Sequence, residues 1–206
     1  MTHYDIKCDN ILIDFKANGR ENNGTAAGGR EEYAVGYTDE FSITVGDFGE
    51  CRMYSGDKDE FSSDNRGTAL IKSPEMLMLA INTRKELDRY DRRKRVGTNS
   101  LSDVWSLGCL LYELLTGENV FESEEFIYLR LFNPNEPLFS QEKFDKINNN
   151  VYLIDFLKYI LVRDMRMRPT IDNVLKRFEH VHALLVATSL ANSRFNRLMS
   201  PESVIS

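Results

Sequence analysis

Residues 99–117, NSLSDVWSLGCLLYELLTG, constrain the fold more than any other stretch. Ser100 and Asp103 stand at capping-box separation, apolar side chains then fall on almost every face of a helix, and Gly117 supplies a stop. A helix that is apolar all round is stable only when covered on every side, so the rest of the chain has to be built around it. Residues 151–162, VYLIDFLKYILV, read as a second, largely buried helix. After Pro169, the residues Ile171, Val174, Leu175, Phe178, Val181, Leu184 and Leu185 recur at three- and four-residue steps, which predicts an amphipathic helix with Pro169 and Thr170 at its first turn. From about residue 188 the period is lost, and the end of the chain is expected to be a loose tail.

Strand character is confined to the start. Residues 10–15 (NILIDF) and 41–48 (FSITVGDF) are rich in β-branched and aromatic side chains, and the Gly- and Asn-laden stretch between them predicts an antiparallel pair joined by a long surface loop. That loop lacks the lysine and hydroxyl residue of a phosphate-binding P-loop. A second polar segment, about 80–98, carries the cluster Arg92-Arg93-Lys94-Arg95 and is expected as a surface insertion, with a docking patch or nuclear import signal as the alternatives. The fold class that results is mostly α with a small β-hairpin (α+β).

Composition excludes several functions. A formal charge of −6 does not suit binding of nucleic acid through a basic surface. The 3 cysteines show no CxxC spacing, so neither a disulfide framework nor a zinc site is suggested. No apolar run approaches the ~18 residues that cross a bilayer. The expected location is the cytoplasm, with the nucleus as the alternative.

The residues that carry chemistry lie near the first strand. In His3-Tyr4-Asp5-Ile6-Lys7-Cys8-Asp9-Asn10 a carboxylate, an ammonium and a carboxamide follow one another at short steps, and Asp47 in Val45-Gly46-Asp47-Phe48-Gly49 would be brought beside Asn10 by pairing of the two strands. Phosphoryl transfer needs such groups together: a carboxylate for the hydroxyl, a cation for the moving phosphoryl, and hard oxygen ligands for magnesium. For Asp47 alone, a turn residue before glycine is an equal explanation.

These stretches together closely resemble the eukaryotic protein kinases, with signatures in the family's order. HYDIKCDN is similar to the H-R-D-x-K-x-x-N catalytic loop, GDFGECR to the D-F-G segment, GTALIKSPEML to the end of an activation segment, SDVWSLGCLLYELLTG to the central helix of the large lobe, and LVRDMRMRPT to the late D-x-x-x-R-P element. The resemblance implies a kinase-like large lobe over about 1–187, with insertions about 16–40 and 80–98 and a tail over 188–206. It implies that Asp5 is the catalytic base, that Lys7 meets the γ-phosphate of ATP, and that Asn10 and Asp47 bind Mg²⁺. His3 would pack and hydrogen-bond, Phe48 and Gly49 complete the D-F-G, and Asp103 would accept hydrogen bonds from the catalytic-loop backbone. Glu75 and Arg168 would form a buried ion pair tethering the activation segment. Lys7 two positions after the base, with Thr68 in Gly67-Thr68, is the Ser/Thr pattern. A protein substrate is implied, and a regulatory protein partner is admitted; nucleic acid and membrane are not.

The sequence also departs from the family. Tyr4 stands where most kinases have an arginine that receives an activation-loop phosphate, so activation through that contact is not expected, although Ser55, Ser62 and Ser63 offer hydroxyls. Asp5 and Asp47 are further apart than usual, which loop-closure entropy tolerates because it grows slowly with length. The nucleotide-gripping small lobe is expected before the catalytic loop and is not in this sequence, so apolar surface is expected along the central helix, and this chain alone is expected to be marginally folded and to transfer little phosphate. The alternative is a non-catalytic, pseudokinase-like binding module, which Tyr4 and the absent small lobe favour and the intact Asp5, Lys7, Asn10 and Asp47 disfavour.

Overall fold

The computed structural model describes residues 1–15, 41–54, 64–84, 98–123, 132–133 and 135–198. The Gly- and Asn-rich stretch over 16–40, the Arg92–Arg95 cluster and Ser55, Ser62 and Ser63 lie outside the described residues. Strands β1 (Ile11–Phe15) and β2 (Phe41–Val45) pair antiparallel, with Ile11 opposite Val45 and Phe15 opposite Phe41. The helices are α1 (Pro74–Arg84), α2 (Ser100–Thr116), α3 (Gln141–Asp145), α4 (Val151–Ile160) and α5 (Ile171–Leu198). Among the described residues the architecture is mostly helical with one small antiparallel hairpin, the α+β class that the sequence predicts.

Helix α2 is the axis of the core. Trp105, Cys109 and Tyr112 on it meet Ile71, Leu77, Phe121, Phe139 and Leu157, and Trp105 lies parallel to Phe121 with ring centroids 6.4 Å apart. Its Val104 joins a second cluster with Phe156, Ile160, Val174 and Val181, which seats α4 and α5. Gly108 permits the close approach of α2 to α4, since a Cβ there would lie 2.8 Å from side-chain atoms of Ile160 and Leu161. Gly117 ends α2 in the left-handed conformation, with its N–H on the carbonyl of Glu113 at 2.7 Å.

Several expectations are corrected. The capping box at Ser100 and Asp103 does not form: Asn99 caps α2 by accepting from the N–H of Leu101 at 2.9 Å, which leaves the Asp103 carboxylate for the catalytic loop. The all-round burial of α2 holds only as far as Tyr112, because Leu114 and Leu115 in the last turn are 69% and 39% exposed. Helix α4 is buried on one face only, where Phe156, Leu157 and Ile160 point inward while Val151, Asp155 and Lys158 face solvent. The loose tail expected from residue 188 is helical as far as Leu198, since TSLANSRFNRL contains no proline or glycine to stop the preceding turns. The amphipathic stripe of α5 is only partly covered: Val174 and Val181 are buried, whereas Ile171, Leu175 and Phe178 are exposed. His180 and His182 are both exposed, and His182 stacks on Phe178.

Candidate active site

The site begins at α2. Asp103, in its first turn, accepts the backbone N–H of His3 at 2.7 Å and of Tyr4 at 2.8 Å, fixing the catalytic loop to the core. Burial pushes the Asp103 carboxyl above its usual range, against the opposing pull of these two hydrogen bonds. The His3 ring joins the loop to the next segment. Its Nδ1 accepts from the N–H of Asp5 at 3.3 Å, which leaves the proton on Nε2 to donate to the carbonyl of Gly46 at 3.0 Å. The same ring lies against Phe48, with centroids 5.1 Å apart. His3 is thereby a packing and hydrogen-bonding residue with both nitrogens engaged.

A one-turn 3₁₀ helix over Cys8–Asn10 bends the chain back so that Asn10 faces Asp5. The carboxylate of Asp5 is buried and accepts from the N–H of Thr68 at 2.8 Å, from Asn10 Nδ2 at 3.1 Å and from Lys7 Nζ at 3.1 Å. Asn10 Nδ2 also reaches the carbonyl of Asp5 at 2.8 Å, so its carboxamide oxygen is turned away from that carboxylate. Lys7 Nζ donates to Thr68 Oγ1 at 2.8 Å, closing a ring of Asp5, Lys7 and Thr68. Burial alone would raise the Asp5 carboxyl. The hydrogen bonds from Thr68 and Lys7 more than reverse this and hold it below the usual carboxylate range. At neutral pH the group is an anion.

Asp47 reaches the site through the hairpin. The Gly46 N–H donates to the Asn10 carbonyl at 2.8 Å, extending the ladder one step beyond Ile11 and Val45. Asp47 then turns in the left-handed region (φ 55°), its carboxylate exposed and accepting from the N–H of Gly49 at 3.3 Å. Asp47 and Asn10 thus stand at the same end of the hairpin, and each offers a hard oxygen. Among the described residues no cluster of three or more His, Cys, Asp or Glu side chains could hold a metal. A carboxylate and a carboxamide suit Mg²⁺, which takes few protein ligands and keeps the remainder of its shell for water or phosphate.

Glu75 and Arg168 are not part of this group. They form a separate buried pair, with Arg168 NH1 and NH2 on Glu75 Oε1 and Oε2 at 2.7 and 3.0 Å. Arg168 also donates to the carbonyls of Leu101 and Val162 and lies over the Trp105 ring, while Ser102 Oγ donates to Glu75. The pair joins the head of α1, and with it the segment containing Thr68, to the loop before α5. Sequence reasoning missed Ser102, which lies one position from Asp103. It also missed the partners of Tyr4, namely Tyr54 and Thr98, for which no local pattern gives a signal. Gly67 (φ +75°) was legible only as half of Gly-Thr; a Cβ there would lie 2.2 Å from the carbonyl oxygen of Tyr4. Burial raises the Cys8 thiol to about 11 and the Cys109 thiol to about 12, and pushes the Cys51 thiol up as well.

The site thus consists of a hairpin end carrying an exposed carboxylate, Asp47, and a buried carboxylate, Asp5, ringed by Lys7, Thr68 and Asn10. The family model described as the protein kinase domain matches residues 1–178, and the chain belongs to this family. A probable serine/threonine-protein kinase of Dictyostelium discoideum is 38% identical over 182 residues, covering 86% of this chain and 7% of that protein. Mitogen-activated protein kinase kinase kinase A of the same organism is 29% identical, covering 84% of this chain and 14% of that protein. A MAP kinase kinase of Caenorhabditis elegans is 26% identical, covering 90% and 40%. The chain therefore spans between 7% and 40% of the length of these relatives. Among the described residues no helix is long and apolar enough to cross a membrane.

Proposed function

We propose that the protein carrying this sequence transfers the γ-phosphoryl group of ATP to serine or threonine hydroxyls of a protein substrate, with Asp5, Lys7, Asn10 and Asp47 as its working groups. The observation that carries this reading is the hydrogen-bonded ring in which Lys7 and Thr68 hold Asp5 as a buried anion. Asp5 orients the substrate hydroxyl and accepts its proton. Lys7, one hydrogen bond from Thr68, supplies positive charge where the phosphoryl passes. Thr68 fixes the lysine and, through its backbone N–H, the base itself. Asn10 and Asp47 would hold magnesium, which when bound neutralises nucleotide charge.

The family relationship and the lysine two positions after Asp5 support Ser/Thr rather than Tyr as acceptor. A binding module without chemistry has no need of Asp5, Lys7, Asn10 and Asp47 together, which disfavours that alternative. Transfer from labelled ATP to matched peptides that differ only in carrying Ser, Thr or Tyr tests the reading. Incorporation into Ser and Thr peptides, lost in Asp47→Asn, is expected; incorporation confined to Tyr, or unchanged in the variant, would overturn it.

A further inference from the structure

Tyr4, the residue at which the catalytic loop departs from the family pattern, is also where that loop meets the activation segment twice. Its backbone adopts φ 69°, a left-handed conformation that a bulky residue seldom takes, and its carbonyl closes against Gly67. Its side chain is 1% exposed, and the hydroxyl meets that of Tyr54, just beyond the Asp-Phe-Gly turn. The Tyr4 hydroxyl donates to the carbonyl of Thr98 at 3.1 Å and accepts from the Thr98 hydroxyl at 3.1 Å, while the Tyr54 hydroxyl reaches the same carbonyl at 3.2 Å. Burial raises the Tyr4 phenol well above its usual range.

An outer layer lies beside this cluster. Arg52 NH1 and Arg66 NH2 both hold Asp64, at 3.3 and 2.9 Å, and the Arg52 guanidinium stands 5.9 Å from the centre of the Tyr54 ring. Arg66 NH1 also donates to the carbonyl of Glu50 at 3.3 Å. The segment leaving Phe48 and the segment returning toward Thr68 are thus tied together by a carboxylate encoded in the sequence. Exposed ion pairs contribute little on their own, so the buried hydroxyls are the principal fastening.

We propose that the activation segment is fastened to the catalytic loop by the neutral Tyr4–Tyr54–Thr98 hydroxyl cluster, with Asp64 between two arginines beside it, so that the segment keeps its position without a phosphate. The role given to the segment rests on the kinase reading above, but the fastening itself is a matter of conformation. Hydrogen–deuterium exchange on the full chain tests it, read at the amides of 51–54 and 64–72 with α2 as internal reference. In Tyr54→Phe and in Tyr4→Phe, exchange there should rise by about threefold to tenfold, the range that loss of one buried neutral hydrogen bond allows. The double variant should add little to either single one, because both remove the same network. Phosphatase treatment of the wild-type chain should leave exchange unchanged. Exchange unaltered in both phenylalanine variants, or raised in the wild type by phosphatase, would overturn the proposal. Should both variants lose protection in α2 as well, Thr98→Val decides, since it removes one hydroxyl of the cluster and leaves both tyrosines in place: exchange raised at 51–54 and 64–72 alone supports the cluster, and exchange unaltered there sinks it. None of these readouts requires catalysis, so an inactive chain with a fastened segment and an active one with a loose segment are told apart.

Discussion

Replacing Arg168 by alanine removes a side chain that is fully buried and makes four hydrogen bonds: two to the Glu75 carboxylate, one to the carbonyl of Leu101 and one to that of Val162. The Glu75 carboxylate, itself 9% exposed, would keep Ser102 as a donor but lose its counter-charge. Breaking a buried pair by removing one partner costs about 3–5 kcal/mol, a large part of the ~5–15 kcal/mol that holds a domain folded. At ~2–4 °C per kcal/mol for a chain of this size, the midpoint of thermal unfolding should fall by about 6–20 °C. Circular dichroism of the full chain, helped by the fluorescence of Trp105 beneath the guanidinium, measures this directly. The double replacement Glu75→Leu with Arg168→Met separates pairing from packing: without a stranded charge it should lie much closer to wild type than Arg168→Ala does. A loss below ~1 kcal/mol in Arg168→Ala, the range of an exposed pair, would refute the reasoning.

The same pair sets a pH dependence. Burial would raise the Glu75 carboxyl, but the hydrogen bonds and charge of Arg168 hold it below its ordinary value of 4.5, so its contribution is complete above that value and is lost as pH falls through the lowered one. Acid unfolding followed by circular dichroism should therefore show a shallower loss of stability in Glu75→Gln than in wild type, and an equal slope in both would contradict the assignment. Gly67→Ala places a Cβ against the Tyr4 carbonyl in a left-handed conformation and should cost roughly 2–6 kcal/mol, read from urea unfolding. On the hairpin, Leu12, Phe15, Phe41 and Ile43 are all more than half exposed, and Leu114 and Leu115 are uncovered at the end of α2. The purified chain should therefore bind a hydrophobic dye while folded; no dye fluorescence alongside a sharp thermal transition would count against this.

What was legible in the sequence is what one dimension encodes. The pairing of 11–15 with 41–45 follows from two β-rich runs separated by a Gly- and Asn-laden stretch of sequence, and the stop at Gly117 from local chain chemistry. Arg168 and Glu75 were found only because family order links residues that are distant along the chain. The cap of α2 was misassigned because Asn99, Ser100 and Asp103 compete for the same role, and only the tertiary demand of the His3 and Tyr4 amides decides that Asp103 serves the loop. The partners of Tyr4 were invisible for the same reason: Tyr54 and Thr98 are ordinary residues until the fold sets their hydroxyls together. The helix beyond residue 188 was missed because an exposed helix needs no apolar period, and absence of period was read as absence of structure.

The central claim is that Asp5, held as an anion by Thr68 and Lys7, is the base of a phosphoryl transfer to protein hydroxyls. Its most direct test is the rate of phosphate transfer from labelled ATP to a Ser or Thr peptide by the complete protein containing this sequence, compared between wild type and Asp5→Asn. A loss on the order of 10²–10⁴-fold with the peptide KM little changed is predicted, as expected for removal of a general base. Equal rates in the two proteins, or transfer that survives in Asp5→Asn at close to the wild-type level, would contradict it.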